Sequence, residues 1–255
     1  MSFFHSILLG IVEGITEFLP ISSTAHLVLI SHLLRISQTE FVKTFEIVIQ
    51  FGAILAVVYL YWKEIFKSWD VVKRIIVAFI PTAILGLVFY KLIKGFLLND
   101  TILIIWTMII GGILLILFEK MHHEKEDAVA EMKQITYKQC LIIGACQSVA
   151  MVPGVSRSAA TIIGGLALGL KRKTIVEFSF LLAVPTMFAA SLLDLIKTKA
   201  QFNGNDIGVL SVGFLISFIV AVFSIKFLLG YIRKHNFVSF GIYRIVAGLF
   251  MLLVK

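Results

Sequence analysis

Charge is what this sequence has least of. Asp, Glu, Lys and Arg make up 15% of its 255 residues, against roughly a quarter in soluble domains, and that scarcity excludes a chain with an ordinary solvated surface. Cysteine is nearly missing. Cys140 and Cys146 are the only two, both lie in an apolar stretch, and their spacing fits neither a zinc pattern nor a disulfide framework, so they read as packing residues. Acidic residues are the rarer sign, 15 against 23 basic, for a net charge of +8. The basic residues fall in short loops between apolar runs, where the positive-inside rule accounts for them, and no nucleic-acid partner is needed. The first residues, Met1-Ser2-Phe3-Phe4-His5, lack a basic region, and Glu13 and Glu17 interrupt the apolar run behind them, so no cleaved signal peptide is expected.

What remains is apolar. Hydrophobic residues are 59% of the chain and the mean hydropathy is +1.00, the composition of an all-α integral membrane protein crossing the bilayer several times. Six stretches are long enough to cross: 45–62, 75–93, 101–118, 175–196, 209–232 and 240–254. Two further apolar regions, 4–34 and 138–170, are broken at Leu19-Pro20-Ile21-Ser22-Ser23 and at Val152-Pro153-Gly154-Val155-Ser156. Each half is too short to span, so each region reads as a re-entrant helical hairpin, whose irregular turn must be buried in protein or line a cavity.

Aligning Pro20 with Pro153 superposes Leu19 on Val152, Ser23 on Ser156, Thr24 on Arg157 and Ala25 on Ser158. One membrane domain, 1–255, then divides into a first repeat of about 1–118, a linker of about 119–137 and a second repeat of about 138–255. A hairpin adds no net crossing and three spans follow it, so the second copy enters from the opposite face: the repeats are inverted, and their broken helices should meet near the midplane. The face carrying Lys63, Lys67, Lys73, Arg74 and Lys171-Arg172-Lys173 is richer in basic residues than the one carrying Arg35, Lys43 and Lys91, which makes the former cytoplasmic and turns the first hairpin's mouth outward. The linker, with His122, His123 and mixed charges, reads as a solvated cytoplasmic connector, not a metal site.

The chemistry concentrates in the two breaks. A centrally placed charge opposes insertion by about 2.5 to 3.5 kcal/mol, so Glu13, Glu17 and Arg157 are functional by default. The plainer alternative is an ion pair locking the hairpins together. Glu13 and Glu17 share one helical face and suit a hard divalent cation, Mg or Ca, completed by water and phosphate oxygens. Pro20 ends their helix, and Ser22, Ser23 and Thr24 offer caps for the next. His26 falls one turn beyond Ser23, a spacing that suits a base and a nucleophile. In Pro153-Gly154-Val155-Ser156-Arg157-Ser158, a glycine turn, free helix N-terminal N–H groups and a guanidinium fork form a phosphate cradle. Substrate contacts are expected from Gly154, Ser156, Arg157, Ser22, Thr24 and Gln147. Glu46, Gln50 and Glu177 read as supporting or helix-contact residues, and Lys226 and Arg244 as side chains that snorkel to a rim.

Glu13-Gly14-Ile15-Thr16-Glu17 with Pro20-Ile21-Ser22-Ser23-Thr24-Ala25-His26, and Pro153-Gly154-Val155-Ser156-Arg157-Ser158-Ala159-Ala160-Thr161, resemble the undecaprenyl-diphosphatase family, the bacitracin-resistance membrane phosphatases. Thr44-Phe45-Glu46 with Gln50 and Gly52 adds to the resemblance. It implies hydrolysis of undecaprenyl diphosphate in the bacterial inner (plasma) membrane, recycling the lipid carrier for cell-wall synthesis, and a functional set of Glu13, Glu17, Ser23, His26, Ser156 and Arg157. The partners implied are that lipid and the surrounding membrane lipids, with a homodimer as an admissible assembly. Whether serine or water attacks, and whether the glutamates hold metal or protons, stays open. The rival reading is a lipid-phosphate flippase, which needs the same cradle but no nucleophile. A phosphatase of the acid-phosphatase type is excluded, since the histidine that type places after its Ser-Arg motif is missing after Ser156-Arg157.

Overall fold

The computed structural model describes residues 1–95, 97, 100–197 and 204–254, and among these the regular structure is helical. In chain order the helices are α1 (Phe3–Thr16), α2 (Ser23–Leu33), α3 (Glu40–Leu60), α4 (Trp62–Lys67), α5 (Trp69–Gly95), α6 (Thr101–Met121), α7 (Tyr137–Ser148), α8 (Arg157–Ala167), α9 (Arg172–Lys197), α10 (Gly204–Tyr231) and α11 (Val238–Val254). Polar caps start several of them: Thr39 Oγ1 accepts from the Val42 amide, the Asp100 carboxylate from Leu103, and Thr136 with Gln139 forms a reciprocal capping box on α7.

Among the described residues five helices, α3, α5, α6, α9 and α10, are long and apolar enough to cross a membrane. The sixth expected span falls in α11, which is shorter at 17 residues. The helices α1, α2, α7 and α8 have 14, 11, 12 and 11 residues, well under the roughly 20 a crossing needs. They pair as α1 with α2 and α7 with α8, so both broken regions form helical hairpins.

Neither hairpin packs chiefly on its own half of the chain. The first arm of the first hairpin, α1, lies on α10, and the first arm of the second, α7, lies on α5. Small residues let the backbones touch. A Cβ at Gly10 would come within 2.8 Å of the Gly213 carbonyl oxygen, and one at Gly144 would overlap the carbonyl of Ala78. Hydroxyls add polar ties: between α1 and α10, Ser6 Oγ donates to the Val209 carbonyl at 2.6 Å and Ser224 Oγ to Ile15 at 2.8 Å, and between α10 and α3, Ser217 Oγ donates to Ile49 at 2.7 Å. Around the hairpin tips the core is aromatic, with Phe18 edge-on to Phe180 at 5.4 Å.

The linker is largely exposed, as expected of a solvated connector, but parts of it are tied to the rest of the protein. Its first residues belong to α6, which runs to Met121, and Glu119 is buried against Arg172 at 2.6 Å. Val129 then pairs with the backbone of Gly169 and Lys171 at 2.9 and 3.0 Å, and Ala128 and Ile135 are buried. Unpaired backbone beside an apolar core is costly, and this lacing removes that cost.

Candidate active site

The two hairpin turns meet. Ser158 Oγ, on the first turn of α8, donates to the Phe18 carbonyl of the first hairpin at 2.9 Å, and Arg157 Nη2 reaches Glu17 Oε1 at 2.9 Å. The other Glu17 oxygen accepts from Ser23 Oγ at 2.6 Å. Glu17 thus joins the expected nucleophile to the expected phosphate-binding cation, and all three side chains are buried or nearly so. Arg157 also donates to the Ser179 carbonyl of α9 at 3.0 Å, lies over the Phe18 ring at 5.6 Å, and keeps its Nε without a partner.

Glu13, one turn before Glu17, is fully buried; neither of its carboxylate oxygens accepts from a donor group, and the Glu17 carboxylate lies within hydrogen-bonding reach. The charges acting on it are Glu17, Glu46 and Arg157. Among the described residues no group of three or more His, Cys, Asp or Glu side chains is arranged to hold a metal, so a cage built wholly from protein ligands is absent there. An orphaned buried carboxylate beside a second one does fit a hard cation that keeps most of its waters.

His26 is not where its spacing suggested. Its Nδ1 is 2.7 Å from the Ser22 carbonyl and its Nε2 is 2.8 Å from the Tyr243 hydroxyl, with the two rings stacked. A carbonyl only accepts, so Nδ1 carries the proton and Nε2 accepts from Tyr243. Both ring nitrogens are occupied, and Ser23 gives its own proton to Glu17.

Ser22 and Ser156 are the last residues before α2 and α8, with φ of 70° and 75°. Only serine fills this left-handed position in both turns, at a cost of about 1 to 3 kcal/mol each. Structurally, then, Ser22 matches Ser156 and Ser23 matches Arg157, one residue out of the register that the prolines suggest. The same offset relates Gly10 to Gly144 and Glu13 to Gln147. Ser156 Oγ caps α8 by accepting from the Ala159 amide at 3.2 Å, whereas Ser22 makes no side-chain cap. Gly154 has φ of +90°, and a Cβ there would collide with Thr107 and the Ile104 carbonyl, so glycine is required. Thr24 is half-buried on α2. Gln147 donates to Thr82 at 2.9 Å and Thr186 at 3.0 Å, leaving its buried carbonyl oxygen unpaired.

The family model "Bacitracin resistance protein BacA" matches residues 6–250. The chain belongs to the BacA family. Curated BacA relatives carry the name undecaprenyl-diphosphatase: that of Sulfurihydrogenibium sp. is 53% identical, covering 98% of both chains, that of Aquifex aeolicus 49%, covering 98% of this chain and 97% of its own, and that of Persephonella marina 51%, covering 99% of both.

In this BacA member, sequence reasoning missed Tyr243, Ser179 and above all Arg244. Expected to snorkel, Arg244 is fully buried. Its guanidinium donates to the carbonyls of Val155, Gly154 and Met108 at 2.9, 3.0 and 3.2 Å, and to those of Thr107 and Pro20 at 3.3 and 3.4 Å. The signal was in the glycines. Gly111 and Gly112 on α6, and Gly241 on α11, clear the space that the side chain and its helix occupy.

Proposed function

We propose that the chain hydrolyses undecaprenyl diphosphate to undecaprenyl phosphate and inorganic phosphate, returning the lipid carrier to cell-wall synthesis. The observation that carries this reading is the buried chain Ser23–Glu17–Arg157, which joins a hydroxyl, a carboxylate and a guanidinium across two hairpins in an apolar protein. A transporter needs a phosphate site but has no use for a hydroxyl held on a carboxylate.

Phosphoryl transfer from an anhydride asks mainly for positioning and charge neutralisation. In our reading the terminal phosphate draws Arg157 away from Glu17, because a guanidinium fork matches two phosphate oxygens. Glu17, whose other oxygen already holds the Ser23 hydroxyl, accepts the Ser23 proton. Ser23 Oγ bonds to the terminal phosphorus, the bond from phosphorus to the bridging oxygen breaks, and undecaprenyl phosphate leaves as a weakly basic anion that needs no proton. Water then displaces Ser23 from phosphorus, Glu17 returns the proton to Ser23 Oγ, and inorganic phosphate departs. Glu13 and Glu17 would hold a divalent cation, Mg or Ca, which when bound neutralises charge on the diphosphate oxygens. His26 holds the Ser22 carbonyl and so the start of α2, on which Ser23 sits.

The arrangement we favour is a pair of inverted repeats, each a hairpin followed by three spans, with α11 as the short sixth. The shared strain at Ser22 and Ser156, the paired glycines and the exchanged hairpin packing support it. The site then opens to the outer face of the bacterial inner membrane.

Phosphate release by the purified protein in detergent tests the reaction, and a mutant cycle tests the roles. Residues that act as a unit lose activity non-additively. Ser23→Ala with Glu17→Gln should therefore lose no more than the worse single variant, while His26→Gln adds to either. The reverse pattern, with Ser23 and His26 as the non-additive pair, would return the base to His26.

A further inference from the structure

Arg244 bonds five backbone carbonyls and, among the described residues, takes part in no ion pair. A neutral donor would tie helices together at less cost than a cation inside a membrane protein, so the guanidinium calls for a reason beyond cohesion. Its acceptors supply one. Pro20 lies in the first hairpin's turn, Gly154 and Val155 in the second's, and Thr107 and Met108 on α6. One side chain of the last helix therefore touches both turns at once.

Peptide units are planar and trans, and none is cis among the described residues, so each carbonyl points opposite to the N–H that follows it. With the Gly154 and Val155 carbonyls held on Arg244, the amides of Val155 and Ser156 are turned away from it. The Val155 amide reaches the Val152 carbonyl at 3.3 Å, while the Ser156 amide has no acceptor among the described residues. An amide without an acceptor at a helix start receives anions well, and Arg157 and Ser158 follow it. In the first turn, Arg244 takes the Pro20 carbonyl and His26 takes that of Ser22, two residues on. The Arg244 charge lies close enough to act on His26.

We propose that Arg244 is a positioning residue for the hydrolysis. It clamps the carbonyls of both hairpin turns, and so aims the Ser156 amide, and the Ser23 and Arg157 that start the following helices, at the terminal phosphate. The proposal rests on the phosphatase reading.

Two substitutions disturb the clamp in different ways. Arg244→Gln removes the cation; Gly111→Ala keeps it and displaces it, because a Cβ at Gly111 would collide with Nη2. On the full chain in detergent, kcat and KM for undecaprenyl diphosphate are measured per folded molecule. The shift in thermal midpoint caused by orthovanadate, which needs no turnover, is measured beside them. A misplacement of about 1 Å at a reacting centre can cost about a hundredfold, so both variants should lose about that much kcat, with KM changed less than about threefold, and should lose the vanadate shift. Arg244→Lys, with three donors for five carbonyls, should fall between. Normal kcat with only a lowered folded yield would overturn the proposal and leave Arg244 a structural bolt. If Arg244→Gln does not fold, Gly111→Ala decides by the same criterion. If the wild-type protein takes up vanadate but releases no phosphate, the phosphatase reading fails by itself, and a vanadate shift equal in wild type and variants still sinks the clamp.

Discussion

At the scale of single residues, the guanidinium of Arg157 divides its donors between a carboxylate of one hairpin and a carbonyl of α9. If its task is to hold two phosphate oxygens in the transition state, a point charge cannot replace it. Arg157→Lys should then be nearly as damaging as Arg157→Ala, about a hundred- to thousandfold in turnover, the usual range for a lost transition-state donor. Turnover per folded molecule measures this, and a lysine variant retaining more than about a tenth of the wild-type rate, a loss below about 1.4 kcal/mol, would leave Arg157 a structural ion pair. Glu13 carries a second expectation. Exhaustive chelation should abolish phosphate release, and Glu13→Gln should raise the concentration of Mg or Ca needed to restore it; full activity in chelator would make the carboxylates proton carriers. The charged members of this set were legible in the sequence because an ionised group inside an apolar run is costly and seldom idle. The partner of His26 was not. Spacing says which groups a side chain can reach, and here the Ser22 carbonyl, four residues back and engaged by the backbone only through a long 3.4 Å bond from the His26 amide, competes better than the Ser23 hydroxyl, which Glu17 already holds. Arg244 escaped for a related reason, since a long side chain with a rim in reach snorkels unless helix packing bars the way.

The hairpins belong to the scale of elements, and helix length and the placement of proline revealed both. Their register did not follow, because Pro20 stands two residues before its strained serine and Pro153 three before its own. The two turns are equally long in the structural register and the proline sits one position later in the first, so aligning prolines puts the caps out of step. The strain itself invites a test. A β-branched residue at positive φ is a true outlier, so Ser22→Val and Ser156→Val should each lower stability by about 1 to 3 kcal/mol. Ser22→Gly should be nearly neutral, since glycine occupies this region freely and Ser22 makes no side-chain cap to lose. Thermal midpoints in detergent, compared between the valine and glycine variants, measure the difference; equal losses at Ser22 would mean that the hydroxyl, not the backbone, matters there.

For the whole molecule, loop charge is the only guide to orientation, and it assigns the joint between α2 and α3 to the outside. Ser37 is exposed in that joint. A cysteine placed there, with Cys140 and Cys146 replaced, should react in whole cells with a reagent that cannot cross the membrane; labelling only after the cells are opened would invert the topology. The linker shows where sequence stops informing, because mixed charge reads as solvated whether or not the backbone is laced to a neighbouring loop, as Val129 is to Gly169 and Lys171.

The exchanged packing of the hairpins also sets a timetable. The helix α1 is the first to be made, yet α10, on which it lies, comes next to last. At about 5 to 20 residues per second, the first hairpin waits on the order of ten to forty seconds in the membrane without the helix on which α1 lies. Glu13 and Glu17 spend the first part of that interval without the guanidinium of Arg157, which follows on α8 before α10 is made. Biosynthesis therefore passes through a stage in which the two carboxylates have neither the guanidinium nor the helix that later cover them, and a chain halted before α10 should be cleared by proteolysis and not persist as a smaller enzyme.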